Sequence, residues 1–445
     1  MSVDLRPFPM FAILLALAGC VPVPEMGVKP VIRSAEASDA AQTLGARGDI
    51  GWPPDQWWRL AGDPQLTLLI EEGLANSPQV ATAGARIRRA EAEVQRVGAS
   101  RLPTIGAEAE AGIRRQSGNN GIPAEFLPGG WQDYGQTSLT FGFDLDLWGR
   151  NRAAHAAAIS EARAAVVDAA QARLVLSVAI TAAYAELGRH YRERDNAEAV
   201  LGNRRAMRDL IALRERNGLD NRISLRRAEA DVANAEQELA AVDESIGLRR
   251  NQLAALVGSG PDRGRSITRP PLSPSTPAGV PAGLTTDLLG RRPDIVAARE
   301  RVEAAASRIK VARAGFFPSV SLRALVGLQA IGLGNLVDSG SVFGTAGPAI
   351  SLPIFQGGAL KAQYGRANAE YAEAVASYNQ MVISAYQQVA DAVTQRDAAD
   401  KRLAAARSAL IASEEATGLV RNRFTAGLAS QLDVLASESA VHNLR

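Results

Sequence analysis

The sequence predicts a mixed α and β membrane protein built as two copies of one design, and three observations lead there. First, the stretch from Pro293-Asp294-Ile295-Val296 to Gly315-Phe316-Phe317-Pro318 recurs, in diluted form, from Pro78 to Pro103, at a constant offset and without a gap. Arg86 then falls on Arg301, Ile87 on Val302, Val94 on Ile309 and Ile105 on Val320. Second, each copy goes on to a pair of segments in which apolar and polar residues alternate. Third, each pair is followed by a long helical pattern without proline, Asn151 to Asn217 and Ala359 to Thr425. At ~1.5 Å per residue such a run reaches roughly 100 Å. That is too long for a compact domain and reads as coiled coil or tunnel wall.

Composition narrows the function classes. The chain has 445 residues, 47% of them hydrophobic but only 5% aromatic, and a formal charge of +2. A nucleic-acid binder would carry a clear basic excess, so no nucleic-acid partner is expected. Ala and Leu in place of aromatics suit closely packed helices. Phe8 to Gly19 is a short apolar run ending in Leu17-Ala18-Gly19-Cys20, which resembles a bacterial lipobox. Residues 1–19 are therefore expected to be a lipoprotein signal peptide, and Cys20 the acylated residue. Cys20 is the only cysteine, so no internal disulfide can form. Val21 favours the outer membrane, since the inner-membrane retention signal is typically Asp at that place. Residues 20–50 read as a lipid-anchored tether. No later segment offers a continuous apolar run long enough, so no membrane-spanning helix is expected; this does not exclude a membrane protein, because barrel strands show only weak alternation.

Repeat 1 is expected over 51–258. Trp52, Trp57 and Trp58 pack the leading segment onto helices. Ser77 before Pro78 caps a belt helix, with proline at its first position. A β-hairpin follows over about 102–148. Ile105, Ala107, Ala109, Ala111 and Ile113 make one face of its first strand, and Leu139, Phe141, Phe143, Leu145 and Leu147 one face of its second. A helical hairpin over 150–258 turns at Gly218. The linker over 259–283 carries Pro261, Pro270, Pro271, Pro274, Pro277 and Pro281. Repeat 2, over 284–445, has a belt helix, a β-hairpin over about 318–355 and a helical hairpin over 358–445 turning at Gly427. Its return strand is expected from Ala349 to Phe355, irregular because of Pro348 and Pro353. The span from Tyr386 to Gly427 exceeds that from Tyr184 to Gly218 by about two helical turns, which reads as a longer second arm with its buried face unrotated. Placing Gly218 on Gly427 puts position 236 on Arg445, so the last helix is expected to be cut short.

Four strands cannot close a barrel, and an open sheet in lipid leaves two edges of unpaired backbone groups, each costing several kcal/mol. The strands must pair with those of other subunits. Three chains would supply twelve, wide enough for a pore, although strand count alone does not select three.

Here the chain resembles the TolC family of outer-membrane efflux channels, in its lipoprotein (NodT/OprM-like) branch. The match rests on Cys20, Trp57-Trp58, Asp144-Leu145-Asp146-Leu147-Trp148-Gly149-Arg150, Arg291-Arg292-Pro293-Asp294-Ile295, Phe317-Pro318 and Pro353-Ile354-Phe355. Arg423-Phe424-Thr425-Ala426-Gly427-Leu428 and Leu432-Asp433-Val434-Leu435 complete it. The resemblance implies a homotrimer with one 12-stranded barrel and a periplasmic helical tunnel, docked on a periplasmic adaptor and an inner-membrane pump. It implies a passive duct, gated at its tips, that uses no fuel. Gly218, Leu219, Gly427 and Leu428 would sit at the tips that meet the adaptor. Glu414 and Glu415 would form an acidic ring in a trimer, against the plainer reading of a solvated helix face. Asp144 and Asp146 would face the barrel lumen, because lipid penalises charge. Arg291, Arg292 and Asp294 read as structural.

No cofactor, metal or catalytic site is expected. His155, His190 and His442 are far apart in sequence, one cysteine cannot build a thiolate site, and no Gly-rich phosphate loop is present. The competing reading is a periplasmic adaptor lipoprotein, which would show one helical hairpin with halves of a small β-domain on either side. A purely structural coiled coil does not account for Leu139 to Leu147.

Overall fold

The computed structural model describes residues 23–27, 30–34, 52–117, 119, 124–271 and 289–444. Cys20, the signal segment and residues 272–283 of the linker lie outside them. The chain divides into two units: Met1–Ser34, Ala85–Val167 and Arg292–Met381 make the first, and Ala35–Gly84, Asp168–Arg291 and Val382–Arg445 the second.

In order, the elements are α1 (Pro64–Asn76), α2 (Pro78–Ala99), β1 (Thr104–Arg114), β2 (Gln132–Asp144), α3 (Arg150–Arg216) and α4 (Arg222–Leu256). After a single turn at Asp262–Arg265 come α5 (Pro293–Ala314), β3 (Ser319–Ile331), β4 (Val342–Ser351), α6 (Ala359–Thr425) and α7 (Gln431–His442). The repeat is visible in the elements themselves. Helices α2 and α5 have 22 residues each and begin at the two prolines.

The first unit holds the sheet, with strand order β1-β2-β3-β4, antiparallel throughout. The helices of this unit pack through small side chains. Ala297, Ala298, Ala304 and Ala305 of α5 are buried, as are Ala153, Ala157 and Ala164 of α3. Alanine lets helix backbones approach closely, so an Ala-rich chain packs long helices without bulky layers. Arg308 of α5 pairs with Glu161 of α3 at 2.8 Å.

The second unit has a conventional core. Leu69 and Ile70 of α1, Leu176, Ile180 and Leu187 of α3, Leu253 of α4, and Val257 and Ile267 beyond it are fully buried. Trp58 lies in this cluster and Trp57 packs against it, which gives the paired tryptophans their role. Asp63 caps α1 by accepting from the Gln65 and Leu66 amides. It also accepts the Tyr184 hydroxyl at 2.7 Å, tying the start of α1 to the middle of α3. A β-carbon on Gly73 would stand 2.7 Å from Ile180 Cδ1, so a larger residue there requires the Ile180 side chain to shift.

Two expectations are corrected. The return strand of repeat 2 runs from Val342 to Ser351; it starts well before Ala349, where the alternation suggested, and stops before Pro353. Pro348 sits inside it, facing Leu322. Leu145 donates its amide to Val320, so even-numbered residues of β3 bond toward β2 and odd-numbered ones toward β4. Pro348 therefore turns its missing N–H to the outer edge, where the in-chain ladder loses nothing. The second correction concerns the arms. Both α3 and α6 have 67 residues, so the second is not two turns longer. Tyr184 and Tyr386 are not equivalent positions. Tyr184 is placed by its bond to Asp63, and aromatic identity alone misaligned the two.

Candidate functional site

The sheet has two unlike faces, because side chains directly opposite each other in an antiparallel ladder share a face. One face runs Ile105, Phe141, Ala324, Ala346 in one row and Ala107, Leu139, Val326, Gly344 in the next. Phe143, Leu322 and Pro348 continue it. Ile105, Leu139, Phe141 and Val326 are exposed in the single chain. The opposite face carries Glu108 beside Ser138, Glu110 beside Gln136 and Gln329, and Thr140 beside Leu325 and Thr345. Tyr134 donates its hydroxyl to Glu110, and the Arg114 guanidinium stands 5.1 Å above the Tyr134 ring. An apolar exterior and a polar interior in alternation are the pattern of a transmembrane barrel wall.

Where the sheet meets the helices, the Asp144-Leu145-Asp146-Leu147-Trp148-Gly149-Arg150 stretch forms a joint. Asp144 ends β2 opposite Ser321, on the polar face, and its carboxylate accepts from the Asp146 amide at 2.9 Å. Asp146 was expected on the strand, facing the lumen. It lies beyond the strand in a left-handed conformation, φ +47, and its two oxygens accept the Asn151 and Arg152 amides at 2.9 Å each. The correction has a simple cause: the first amides of α3 lack helical partners, and a carboxylate there also meets the positive end of the helix dipole. Trp148 stacks on Phe317 at 4.7 Å and donates Nε1–H to the Pro318 carbonyl at 2.7 Å. A cavity of about 760 Å³ opens beside this joint, lined by Asp144, Trp148, Arg150, Phe317, Ile354 and Phe355 among others.

The two helical hairpins end in matching tips. Gly218 and Gly427 adopt φ +70 and +74, conformations that cost a residue with a β-carbon. Leu219 and Leu428 follow, 68% and 69% exposed. Each donates its amide to an arginine carbonyl on the preceding helix, Arg214 and Arg423. Each also accepts at its own carbonyl from that arginine's guanidinium, at 3.3 and 3.4 Å. Asn221 then caps α4, and Ser430 with Asp433 forms a capping box on α7. Reading the sequence missed the arginines, though their matched place one turn before each glycine was the available signal. Glu414 and Glu415 are both exposed on α6, three and two residues before Thr417, whose hydroxyl bonds the Ser437 carbonyl of α7 at 3.2 Å.

Residues 69–259 and 284–445 match the family model described as outer membrane efflux protein, which takes in most of the chain. The chain belongs to the outer membrane efflux protein family. Among curated relatives it is 36% identical over 371 residues to the fusaric acid resistance protein FusA of Burkholderia cepacia, covering 80% of this chain and 68% of that one. It is 32% identical over 323 residues to the multidrug resistance outer membrane protein MdtP of Escherichia coli K12, covering 70% of this chain and 65% of the relative. Among solved structures it matches the outer membrane protein VceC of Vibrio cholerae with a TM-score of 0.81 and 42% identity, over 88% of this chain and 93% of that one. The open-state MtrE outer membrane channel of Neisseria gonorrhoeae matches with a TM-score of 0.75 and 27% identity, over 96% and 93%.

The family resolves the choice left open by the sequence. The chain is a subunit of an outer-membrane efflux channel, with a sheet that belongs to a barrel and helical hairpins that belong to a tunnel. The adaptor reading falls, because these relatives are channels and each copy of the repeat places strands ahead of its hairpin.

Proposed function

We propose that three copies of this chain join their sheets into one twelve-stranded outer-membrane barrel and serve as the passive exit duct of a tripartite efflux system. The observation that carries this reading is the sheet: four strands, an exposed apolar face, and two edges that no strand among the described residues covers. In hydrocarbon those edges need partners, and identical copies supply them with the same chemistry. The long helices make a parallel demand. An 18-residue stretch of α3 is apolar enough by composition to cross a bilayer, yet only 22% of it is buried inside the chain. Val166, Val175 and Val178 of α3 are exposed, and neighbouring helices in an assembly would cover them.

On this reading the anchor is a lipid on Cys20, and the Gly218-Leu219 and Gly427-Leu428 tips close the periplasmic end and meet an adaptor joined to an inner-membrane pump. Glu414 and Glu415 ring the narrow part of the tunnel and favour cations, while Asp144 borders the lumen. The duct itself performs no catalysis; the energy comes from the pump. The names of the relatives, fusaric acid resistance and multidrug resistance, point to small organic toxicants as cargo. Purified protein in planar bilayers tests the proposal. Heat-resistant trimers with discrete conductance are the expected result, and a water-soluble monomer without conductance would overturn it.

A further inference from the structure

The repeat determines how one copy must meet the next, strand by strand. Within the chain Thr104 faces Gly142 in the first hairpin, and Ser319 faces Ser351 in the second. Thr104 thus maps to Ser319, and Gly142 to Ser351. The long helices α3 and α6 begin at Arg150 and Ala359, equally far beyond Gly142 and Ser351, so strands and helices agree on the mapping. The seam between the repeats is visible as well: β2 pairs with β3, Gly142 opposite Arg323 and Phe141 opposite Ala324. A closed barrel has an equivalent seam, between β4 of one copy and β1 of the next.

We propose that this second seam repeats the first, so that Ser351 lies opposite Glu108 of the next copy, Ile350 opposite Ala109 and Gly347 opposite Gly112. The inference rests on the assembly proposed above and adds its register. Three features of the single chain support it. The mapping puts apolar Ile350 with apolar Ala109 and polar Ser351 with Glu108, so both faces run unbroken across the seam; a slip of one residue would interchange them. It also carries the Leu145–Val320 bond onto Ile354 and Ile105 of the next copy, two residues that are 70% and 77% exposed and gain each other as cover. Finally, Trp148 maps to Gly357 and Phe317 to Leu102, so the stack that locks the in-chain joint has no counterpart between copies. Phe355, 88% exposed just beyond β4, is placed to fill that space against Leu102 of the next copy. Pro348 falls opposite Ala111, where its missing N–H leaves one ladder bond unmade.

Cross-linking tests the register in the full-length chain. Residues on the polar face form the closely spaced, non-hydrogen-bonded pairs, with Cα atoms about 4.5 Å apart, whereas diagonal neighbours stand about 7–8 Å apart, beyond the usual disulfide range. Glu108→Cys with Ser351→Cys is therefore the matched pair. Glu110→Cys with Ser351→Cys, and Glu108→Cys with Ala349→Cys, represent slips of two residues in either direction. Single-cysteine variants control for Cys20. Mild oxidation followed by denaturing electrophoresis is expected to give covalent dimers and trimers at least several-fold more strongly for the matched pair. Light scattering of the same samples before denaturation separates the two ideas. Trimers in which a slipped pair cross-links better, or in which the matched pair does not, overturn the register and leave the assembly standing. Monomers overturn both.

Discussion

Tyr184 and Asp63 show how one polar pair organises a helical unit. The Tyr184 hydroxyl donates to Asp63 and accepts from Gln65 at 2.8 Å, inside the buried apolar cluster of the second unit. Burial, with the Asp63 carboxylate beside it, pushes the hydroxyl well above the ordinary tyrosine range, against the opposing pull of the Gln65 bond. A raised folded-state pKa means stability that is present below the unfolded value, about pH 10, and is lost as pH rises above it. Thermal unfolding midpoints measured from about pH 8 to 11 should therefore fall at the alkaline end, and Tyr184→Phe should flatten that fall while lowering the midpoint at neutral pH. At the tips, Asp220 and Asp433 are held below the ordinary carboxylate range, foremost by the Asn221 and Ser430 amides, so acid weakens the turn bond that precedes the Asn221 cap and the capping box of α7. Asp146 matters through geometry, as two acceptor oxygens at the start of α3 in a backbone shape that few side chains tolerate.

The joint between strand and helix decides whether a membrane sheet and a long helix move as one piece. Trp148 touches the opposite repeat through a ring stack and through a hydrogen bond from its indole nitrogen. Stacked aromatic pairs contribute about 0.5–1.5 kcal/mol beyond area burial. A double-mutant cycle on Trp148→Ala and Phe317→Ala, followed by chemical unfolding in detergent, should return a coupling of about 1 kcal/mol. Additive losses would mean that the rings are neighbours without interaction. The matching lengths of α3 and α6 make a second point about elements. Each helix starts beside a left-handed glycine, Gly149 or Gly358, and ends at another, Gly218 or Gly427, so the breakers set the length and the residues between are free to vary.

For the whole molecule, exposed apolar surface is the main clue to assembly. Phe355 has little cover inside the chain, so Phe355→Ser should leave the fold of one subunit intact while weakening contact between copies. The expected readout is a trimer that dissociates at a lower temperature on semi-native gels, with unchanged circular dichroism; an unchanged dissociation temperature would remove Phe355 from the interface. Much of this molecule was readable beforehand. Pro78 and Pro293 marked helix starts, alternation around Leu139 and Val326 marked strands, and Gly218 and Gly427 marked the hairpin turns, because each of these signals is local and acts through backbone geometry. The equal length of the two arms was already present in the two proline-free runs, and only matching Tyr184 to Tyr386 obscured it. The limits of β4 and the placing of Asp146 were not readable, because they depend on which side of a strand bonds to a neighbour and which helix end lies within reach of a carboxylate. By itself the sequence determined the repeat, the order of elements and the family. Only the tertiary structure decided the register of the sheet and the joints that hold it, because both arise from contacts between residues far apart in the chain, whose distances no local pattern encodes.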